Sequence, residues 1–277
     1  MNLFFLKTKL MSDNSYEITS GKRFSFGSNW TRFLTQLNDK RIYDAECSLQ
    51  DMLGLENLKN KTFLDIGSGS GLFSLAARRL GAKVHSFDYD LQSVACTEEL
   101  RRRFFSEDKN WTVEKGSALD AEYLSNLGQY DVVYSWGVLH HTGNMWKALD
   151  NVVLSVKSGG MLFIAIYNDQ GWISSYWAEI KKIFISGSVG RTIIIIAHIP
   201  YLLGVRIIFR ALTGRLHLER GMTYWYDMLD WLGGWPFEVS SPRKIIDFYQ
   251  KRDFSLERAV TCGHRSGCNE FVFTNNN

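Results

Sequence analysis

Apolar and polar positions alternate in two different ways between residues 62 and 167. Short runs rich in β-branched and aromatic residues are separated by longer stretches whose apolar residues recur every three or four positions. The first pattern is typical of strands and the second of helices. The predicted strands are Thr62–Ile66, Lys83–Phe87, Trp111–Glu114, Tyr130–Tyr134 and Met161–Ile166, and the helices between them include Phe73–Leu80 and Gln92–Phe105. This order predicts an α/β fold with a doubly wound, mostly parallel sheet.

The C-terminal pattern is different. Pro242 precedes a helical stretch, Arg243–Lys251, as proline often does in a first helical turn. Two strand-like runs follow, Phe254–Thr261 and Glu270–Thr274, and a short glycine-containing loop joins them. A link this short predicts an antiparallel hairpin at the edge of the sheet.

Two further regions lie outside this alternation, so the pattern predicts three parts. Residues 61–168 and 242–277 form one α/β domain. Residues 1–60 form an N-terminal cap segment with a helix over Tyr43–Leu53, and residues 169–241 form a helical, aromatic-rich insertion. We expect the cap segment and the insertion to cover the domain as a lid.

A glycine-rich loop follows the first predicted strand. Glycines at 67, 69 and 71 permit a tight turn and close approach of backbone N–H groups to a ligand. Asp88 ends the second strand, where an acidic side chain can accept hydrogen bonds from ribose hydroxyls. Asp65 precedes the loop, and we expect it to point toward the ligand and to favour a positively charged group over a pyrophosphate. The last two glycines are also closer together than in the dinucleotide fingerprint.

The run Asp65–Gly71 resembles the first motif of class I S-adenosylmethionine-dependent methyltransferases. Lys115–Asp120 is similar to the segment that faces adenine in that family, and Tyr130–His141 is similar to the fourth-strand motif of small-molecule methylases, including those of quinone biosynthesis. The resemblance covers residues 62–167 and implies a Rossmann-like fold, S-adenosyl-L-methionine as cofactor, and methyl transfer. The family usually has an acidic residue where this sequence has Ser117.

The resemblance also assigns residues to the cofactor site, and the N-terminal cap segment adds an aromatic residue to it. The residues expected to bind the cofactor are Trp30, Asp65, Gly67, Ser68, Gly69, Gly71, Asp88, Tyr89, Ser117, Ala118, Ser135 and Trp136.

Candidate catalytic residues follow the fourth and fifth strands. One of His140 and His141 is expected to contact the cofactor or act as a base, and the alternative is that they order their loop by hydrogen bonding. Tyr167 and Asn168 end the fifth strand at the same edge, either as acceptor contacts or as a polar strand end. The proline-rich loop of adenine and glutamine methylases and the paired glutamates of arginine methylases are missing here. A small-molecule acceptor remains, with O- or C-methylation favoured.

The second half of the insertion is a candidate acceptor site. Residues 222–237 contain six aromatic residues with interleaved aspartates and lack lysine and arginine. Apolar walls with a few polar groups are typical of small-molecule pockets and also suit the faces and hydroxyls of a sugar. Tyr224, Asp227 and Trp231 are therefore candidate acceptor-binding residues, and the alternative is that they form the core of the lid.

The first half of the insertion is basic. Seven Lys or Arg residues and one acid lie between Lys181 and Arg220, around the apolar run Ile193–Val205. That run is interrupted too early to span a membrane. Residues 189–212 are a candidate for peripheral membrane contact. The alternative is a two-helix cap that packs on the α/β domain or on a second subunit, in a homodimer.

Composition excludes several other classes. The chain of 277 residues has 32 Lys plus Arg against 29 Asp plus Glu, a net charge of +3, so we expect no nucleic-acid partner. Four cysteines suggest free thiols in a reducing compartment, and Cys262, His264 and Cys268 lack the second ligand group of a metal site. The first residues lack a secretory signal, and Met11 is an alternative to Met1 as the start. We expect a cytoplasmic protein, either free or peripheral at the inner face of a membrane.

Three functions are thus considered. The preferred one is an S-adenosylmethionine-dependent methyltransferase that acts on a small-molecule or glycan-like acceptor by in-line displacement. The first alternative has a lipid-linked or quinone-like acceptor at the membrane surface. The second is a protein that binds S-adenosylmethionine without catalysis.

Overall fold

The computed structural model describes residues 26–205 and 224–277, together with residues 17, 20, 23 and 24. The strands in these residues are β1 Thr62–Ile66, β2 Lys83–Asp88, β3 Trp111–Lys115, β4 Tyr130–Trp136, β5 Val156–Tyr167, β6 Phe254–Val260 and β7 Cys268–Asn275. They form one sheet in the spatial order β3-β2-β1-β4-β5-β7-β6. Strands β1 to β5 are parallel, and β7 runs antiparallel to both β5 and β6. The predicted doubly wound sheet with its C-terminal hairpin is confirmed.

Ten α-helices lie in the described ranges. They are α1 Gly27–Thr35, α2 Asp39–Leu53, α3 Leu72–Arg79, α4 Leu91–Phe105, α5 Ala121–Leu127, α6 Met145–Val152, α7 Trp172–Ile185, α8 Ser188–Ile199, α9 Tyr224–Gly233 and α10 Pro242–Gln250. A π-helical segment, Pro200–Val205, continues α8. Side-chain caps start several helices. Helix α2, for example, begins earlier than its apolar pattern predicts because Asn38 accepts a hydrogen bond from the backbone N–H of Arg41.

Strand β5 is longer than predicted. It begins at Val156, although the stretch from Lys157 to Gly160 has little strand propensity. Val156 pairs with Tyr130, and the register between β4 and β5 then shifts before Met161 pairs with Val132. The shift in register allows the two glycines to lie within β5. The alternation of apolar residues alone does not predict this longer strand.

Side chains alternate between the two faces of the sheet, and helices cover both faces. Phe63 of β1 faces α2, α3 and α4, where it packs in one buried cluster with Leu49 and Leu75. Leu64, the next residue, joins the other cluster, which includes residues of α5, α6 and α10. This alternation is what a sheet buried on both faces requires.

Helices α7, α8 and α9 form a separate layer beyond the carboxyl end of β5. Their inner faces share a third apolar cluster, which includes Trp177, Phe184 and Met228. After these helices the chain returns to the end of β5, where Ser240 N donates a hydrogen bond to Tyr167 O at 3.0 Å. The layer therefore stands over the edge at which the loops after β1, β2 and β4 meet. Among the described residues, no helix is long and apolar enough to cross a membrane.

Candidate active site

The glycine loop is held in place by the neighbouring strand. Backbone N–H groups of Gly67 and Ser68 both donate to Phe87 O, at 2.8 and 3.1 Å. Gly67 has a φ of +79°, and a Cβ there would lie 2.4 Å from the Val138 side chain. The loop therefore requires glycine at this position both for its backbone conformation and for its contact with the loop after β4.

Asp88 connects the glycine loop to the end of β2. Its Oδ2 accepts a hydrogen bond from Gly69 N at 3.0 Å and its Oδ1 accepts one from Asp90 N at 2.8 Å. Burial raises the pKa of this carboxyl to about 6, although both backbone hydrogen bonds favour the charged form. A Cβ at Gly69 would lie 3.0 Å from the Trp30 ring. The loop, Asp88 and Trp30 therefore lie together, and their contacts with a cofactor stay predictions.

Asp65 departs from its prediction. The side chain is 2% exposed and accepts a hydrogen bond from Ser74 Oγ of α3. Burial is the largest cause of its raised pKa, about 7, and the nearby Asp88 raises it further. The expectation that this carboxylate points toward the ligand is wrong, because the side chain lies beneath the helix that follows the loop.

Ser135 and Trp136 end β4 but do not both face the loop. Ser135 is fully buried, and its hydroxyl donates to Ile66 O at 3.0 Å. The hydroxyl thus binds the backbone of β1, and the contact of Ser135 with a cofactor stays a prediction. Trp136 Nε1 donates to Glu270 of β7 at 3.0 Å.

The remaining candidates lie after β2 and β3. Tyr89 is partly buried, with the Arg23 guanidinium 5.1 Å and the Lys115 ammonium 5.7 Å from its ring centroid. Ser117 is partly exposed and accepts a hydrogen bond from Leu119 N at 3.2 Å. Ala118 is buried in the core, so only its backbone could approach a ligand.

His140 and His141 lie in a 3₁₀ turn after β4, and their hydrogen bonds fix opposite tautomers. Nδ1 of His140 accepts a hydrogen bond from Tyr167 N–H at 3.3 Å, so the proton of the neutral ring is on Nε2. Nδ1 of His141 lies 2.6 Å from Pro236 O, a carbonyl that can only accept, so this Nδ1 carries the proton. The Nε2 lone pair of His141 is therefore the one able to take up a proton.

Both rings are buried. His140 is fully buried, and its Nε2 has no hydrogen-bond partner among the described residues. Burial lowers the pKa of His140 well below its usual value and that of His141 to about 3, and the positive charge of Lys181 lowers both further. Both imidazoles are consequently neutral near pH 7. His140 can donate a hydrogen bond and His141 can accept one.

Tyr167 contacts both the 3₁₀ turn of His140 and His141, which we call the histidine turn, and the layer of helices α7, α8 and α9, which we call the lid layer. Its ring centroid lies 3.9 Å from that of His140, 5.4 Å from that of His141 and 5.8 Å from that of Trp231. Lys181 of α7 is fully buried against Trp231. Its Nζ lies 4.7 Å from the Trp231 ring centroid and donates a hydrogen bond to Trp231 O. The structure thus brings Tyr167 and Trp231 together with the histidines, and their contacts with an acceptor stay predictions.

Asn168 is engaged elsewhere. Its Nδ2 donates to Gly263 O at 2.8 Å, and its Oδ1 accepts from Asn269 Nδ2 at 3.0 Å. The loop after β6 and the first residues of β7 thus bind both polar groups of the side chain, and the acceptor contact of Asn168 stays a prediction. The side chains of Tyr224 and Asp227 lie outside the described part of the structure, and their predicted contacts remain predictions.

Several residues of the site are missing from the sequence-based prediction. Arg23 donates to His141 O at 2.7 Å, and Glu238 N donates to His140 O at 3.0 Å. Lys181 could have been found, because it occupies a core position among the apolar residues Trp177, Ile180 and Phe184 of α7. Arg23 and Glu238 carry no such signal, since their roles depend on long-range contacts.

The loop Cys262–Cys268 belongs to the hairpin. Cys262 N donates to Asn269 Oδ1 at 3.1 Å, across the start of the loop. Among the described residues, no group of three or more His, Cys, Asp or Glu side chains is placed to hold a metal ion.

Several known proteins are similar to this chain in sequence. A family model described as a methyltransferase domain matches residues 38–256. A ubiquinone biosynthesis O-methyltransferase from Methylobacterium sp. (strain 4-46) is 29% identical over 142 residues, covering 50% of this chain and 55% of that protein. A ribosomal protein L11 methyltransferase from Prochlorococcus marinus (strain AS9601) is 33% identical over 168 residues, covering 54% of each. The chain thus spans about half the length of the curated relatives it matches.

A solved structure extends the comparison to the whole fold. The magnesium protoporphyrin IX methyltransferase ChlM from Synechocystis PCC 6803, with bound SAH, superimposes with a TM-score of 0.52 at 13% identity. The match covers 98% of this chain and 99% of that one. At this identity the likeness concerns the fold.

Proposed function

The chain belongs to the methyltransferase domain family, and we propose that it transfers a methyl group from S-adenosyl-L-methionine to a small-molecule acceptor. The main support for the proposal is the position of Gly69, which donates a hydrogen bond to Asp88 and lies against the Trp30 ring at the sheet edge beside the histidine turn. Residues 61–168 and 242–277 would form the catalytic domain, residues 1–60 the cap segment and residues 169–241 the lid.

The residues present fit this cofactor. Asp88 has a carboxylate at the end of β2, where ribose hydroxyls are bound in this type of sheet. The glycines of the loop allow backbone N–H groups to approach a ligand, and Gly71, with a φ of +79°, caps helix α3. Trp30, beside Gly69, and Tyr89, the residue after Asp88, supply aromatic surfaces near the loop. When bound, the cofactor supplies an electrophilic methyl group on a sulfonium.

Proton transfer at the acceptor falls to the histidine turn. We assign the role of base to His141, since its Nε2 carries a lone pair while Pro236 O holds the proton on Nδ1. The same carbonyl favours the protonated ring that forms when the acceptor loses its proton, and it acts against the burial and the Lys181 charge that lower the pKa of His141 to about 3. His140 serves as a hydrogen-bond donor to the acceptor through Nε2. The remaining catalysis comes from positioning the reacting atoms.

The acceptor is proposed to be a small or glycan-like molecule methylated on oxygen or carbon. Tyr167, Trp231 and Phe237 provide aromatic walls beside the histidines, with ring centroids 5.3 to 5.8 Å apart from Tyr167. Lys181 places a cation 4.8 Å from the Phe237 ring centroid. A quinone-like acceptor is the alternative, supported by the likeness to a ubiquinone biosynthesis O-methyltransferase.

Titration calorimetry tests the cofactor assignment. The full chain should bind S-adenosyl-L-methionine and its demethylated product, whereas NAD⁺ should give no heat because the glycine spacing does not fit its pyrophosphate. Binding of NAD⁺ in preference would contradict the assignment. Co-crystals with S-adenosylhomocysteine would then show where an acceptor can bind beside Tyr167.

Binding without catalysis is the second candidate function. Its support is the deep burial of both histidines, which is also expected if the turn is only structural. Calorimetry cannot separate the two functions, because both include cofactor binding. Transfer of a labelled methyl group into an acceptor from a cell extract separates them.

A further inference from the structure

The outer face of α8 carries a continuous apolar stripe. Val189, Ile193 and Ile196 recur at helical spacing and are 72%, 58% and 65% exposed. Tyr201, in the π-helical segment that follows, is 59% exposed. The opposite face already packs in the lid, where Ile194 and His198 are buried. Helix α8 is therefore apolar on both sides, and its outer side has no partner among the described residues.

Helix α7 extends this surface with aromatic residues. Trp172 is 77% exposed, and Tyr176 is partly exposed with its hydroxyl 2.9 Å from His198 Nε2. Trp and Tyr side chains combine an apolar ring with a polar group, which suits the boundary between lipid and water. We call Trp172, Tyr176, Val189, Ile193, Ile196 and Tyr201 the outer lid face.

Helix α8, in the middle of the outer lid face, has a net positive charge. It contains Arg191, which is exposed, and no acidic residue. On α7, Lys181 is fully buried and Lys182 pairs with Glu179. A second copy of the chain docked on this face would offer Arg191 no acidic side chain from α8 to pair with. An anionic surface complements both the charge and the apolar side chains.

We propose that the outer lid face docks on an anionic lipid surface. Ile193 and Ile196 enter the boundary between headgroups and acyl chains, Trp172 and Tyr201 lie at the level of the headgroups, and Arg191 contacts lipid phosphates. The helices lie in the plane of the membrane, because neither is long enough to span it. Docking places the lid, and the histidine turn beneath it, next to the lipid surface.

Co-sedimentation with extruded vesicles tests the proposal on the full chain. Vesicles of phosphatidylcholine with about 30% phosphatidylglycerol should bind the protein at least ~10-fold more strongly than pure phosphatidylcholine vesicles. The double variant Ile193→Ser/Ile196→Ser should lose at least ~10-fold in binding, because two apolar side chains no longer insert. Arg191→Glu should lose the preference for phosphatidylglycerol. The matched control is Leu154→Ser/Val260→Ser, which removes two exposed apolar side chains outside the lid and should bind as the wild type does.

Each outcome decides for or against the proposal. Loss of binding in Ile193→Ser/Ile196→Ser and loss of the phosphatidylglycerol preference in Arg191→Glu, with the control unchanged and equal melting temperatures, support it. Equal binding to the two vesicle types, or no binding to either, overturns it. Self-association that disappears in Ile193→Ser/Ile196→Ser, measured by light scattering without vesicle binding, also overturns it in favour of a second copy.

Discussion

His140 and His141 are neighbours in sequence yet have different chemistry, because each Nδ1 faces a different backbone group. Tyr167 N–H faces Nδ1 of His140 and Pro236 O faces Nδ1 of His141. Sequence alone identifies the pair as candidates but cannot distinguish them. Their distinction depends on contacts from β5 and from the end of the lid, which are separated from the turn by many residues.

Replacement of the base tests the assignment. His141→Asn should lower the rate of methyl transfer about 100-fold, because general base catalysis is worth roughly that factor. Cofactor affinity should not change, since no cofactor contact is assigned to His141. Single-turnover rates and calorimetry measure the two quantities. His264→Asn, a histidine exposed in the hairpin loop, is the control and should retain full activity. A larger loss in His140→Asn than in His141→Asn would reverse the two roles.

The pH dependence of cofactor binding should report Asp88. Its pKa is raised to about 6, so the carboxyl is protonated below that pH and charged above it. Only the carboxylate can accept hydrogen bonds from two ribose hydroxyls, so affinity should rise between about pH 5 and pH 7 and then level off. Asp88→Asn should bind about 10- to 100-fold more weakly at pH 8, with a flatter profile. Glu257→Gln, an exposed residue of β6, is the matched control. A wild-type profile unchanged by Asp88→Asn would contradict the role.

Residue-level prediction succeeded where the backbone determines the role. Gly67 and Asp88 could be placed because their spacing from strand ends fixes where they lie. Asp65 and Asn168 could not, because the direction of a side chain depends on which groups pack around it. Ser74 donates a hydrogen bond to the Asp65 carboxylate, and Asn168 donates one to Gly263 O in the hairpin loop.

At the scale of elements, the turn between β1 and α3 depends on its contact with the loop after β4. Gly67→Ala should lower the free energy of unfolding by about 2 kcal/mol, from an unfavourable positive φ and a clash with Val138. Urea denaturation measures this loss. Gly54 has a φ of +66°, but an added Cβ there would meet nothing within 4 Å. Gly54→Ala should therefore lower the free energy of unfolding by about 1 kcal/mol, from the backbone conformation alone. The added substitution Val138→Ala should recover part of the loss of Gly67→Ala, after correction for its own effect. Equal losses at Gly54 and Gly67 would show that the contact is unimportant.

Arg23 and Phe24 connect the N-terminal part of the chain to two distant segments, the histidine turn and the chain after α9. Arg23 Nη1 donates to His141 O at 2.7 Å, and Phe24 N donates to Trp235 O at 3.0 Å. Arg23→Ala should raise the dissociation rate of S-adenosyl-L-methionine about tenfold, because a charge-assisted hydrogen bond that holds the segment over the site is lost. Stopped-flow fluorescence of the nearby tryptophans measures the rate. Arg243→Ala, on the exposed side of α10, should leave it unchanged. An unchanged rate in Arg23→Ala would mean that this segment does not retain the cofactor.

Over the whole molecule, the alternation of strand and helix patterns predicts the order of elements and the hairpin. The assembly of the site could not be predicted, because residues 23, 140, 167, 181 and 231 come from distant parts of the chain. Their meeting depends on how the lid layer packs over the end of β5. The aromatic residues around 231 could be recognised as a group, but whether they face the histidines is a matter of tertiary structure.

Methyl transfer is the central claim and is tested most directly by one assay. The full chain is incubated with S-adenosyl-L-methionine labelled in its methyl group and an extract of small molecules, and label is followed into products. Wild-type protein should produce a labelled small molecule. His141→Asn should bind the cofactor normally but produce about 100-fold less product, and Asp88→Asn should be impaired in both. Normal cofactor binding without a labelled product from wild-type protein, or equal labelling by all three proteins, would contradict the account.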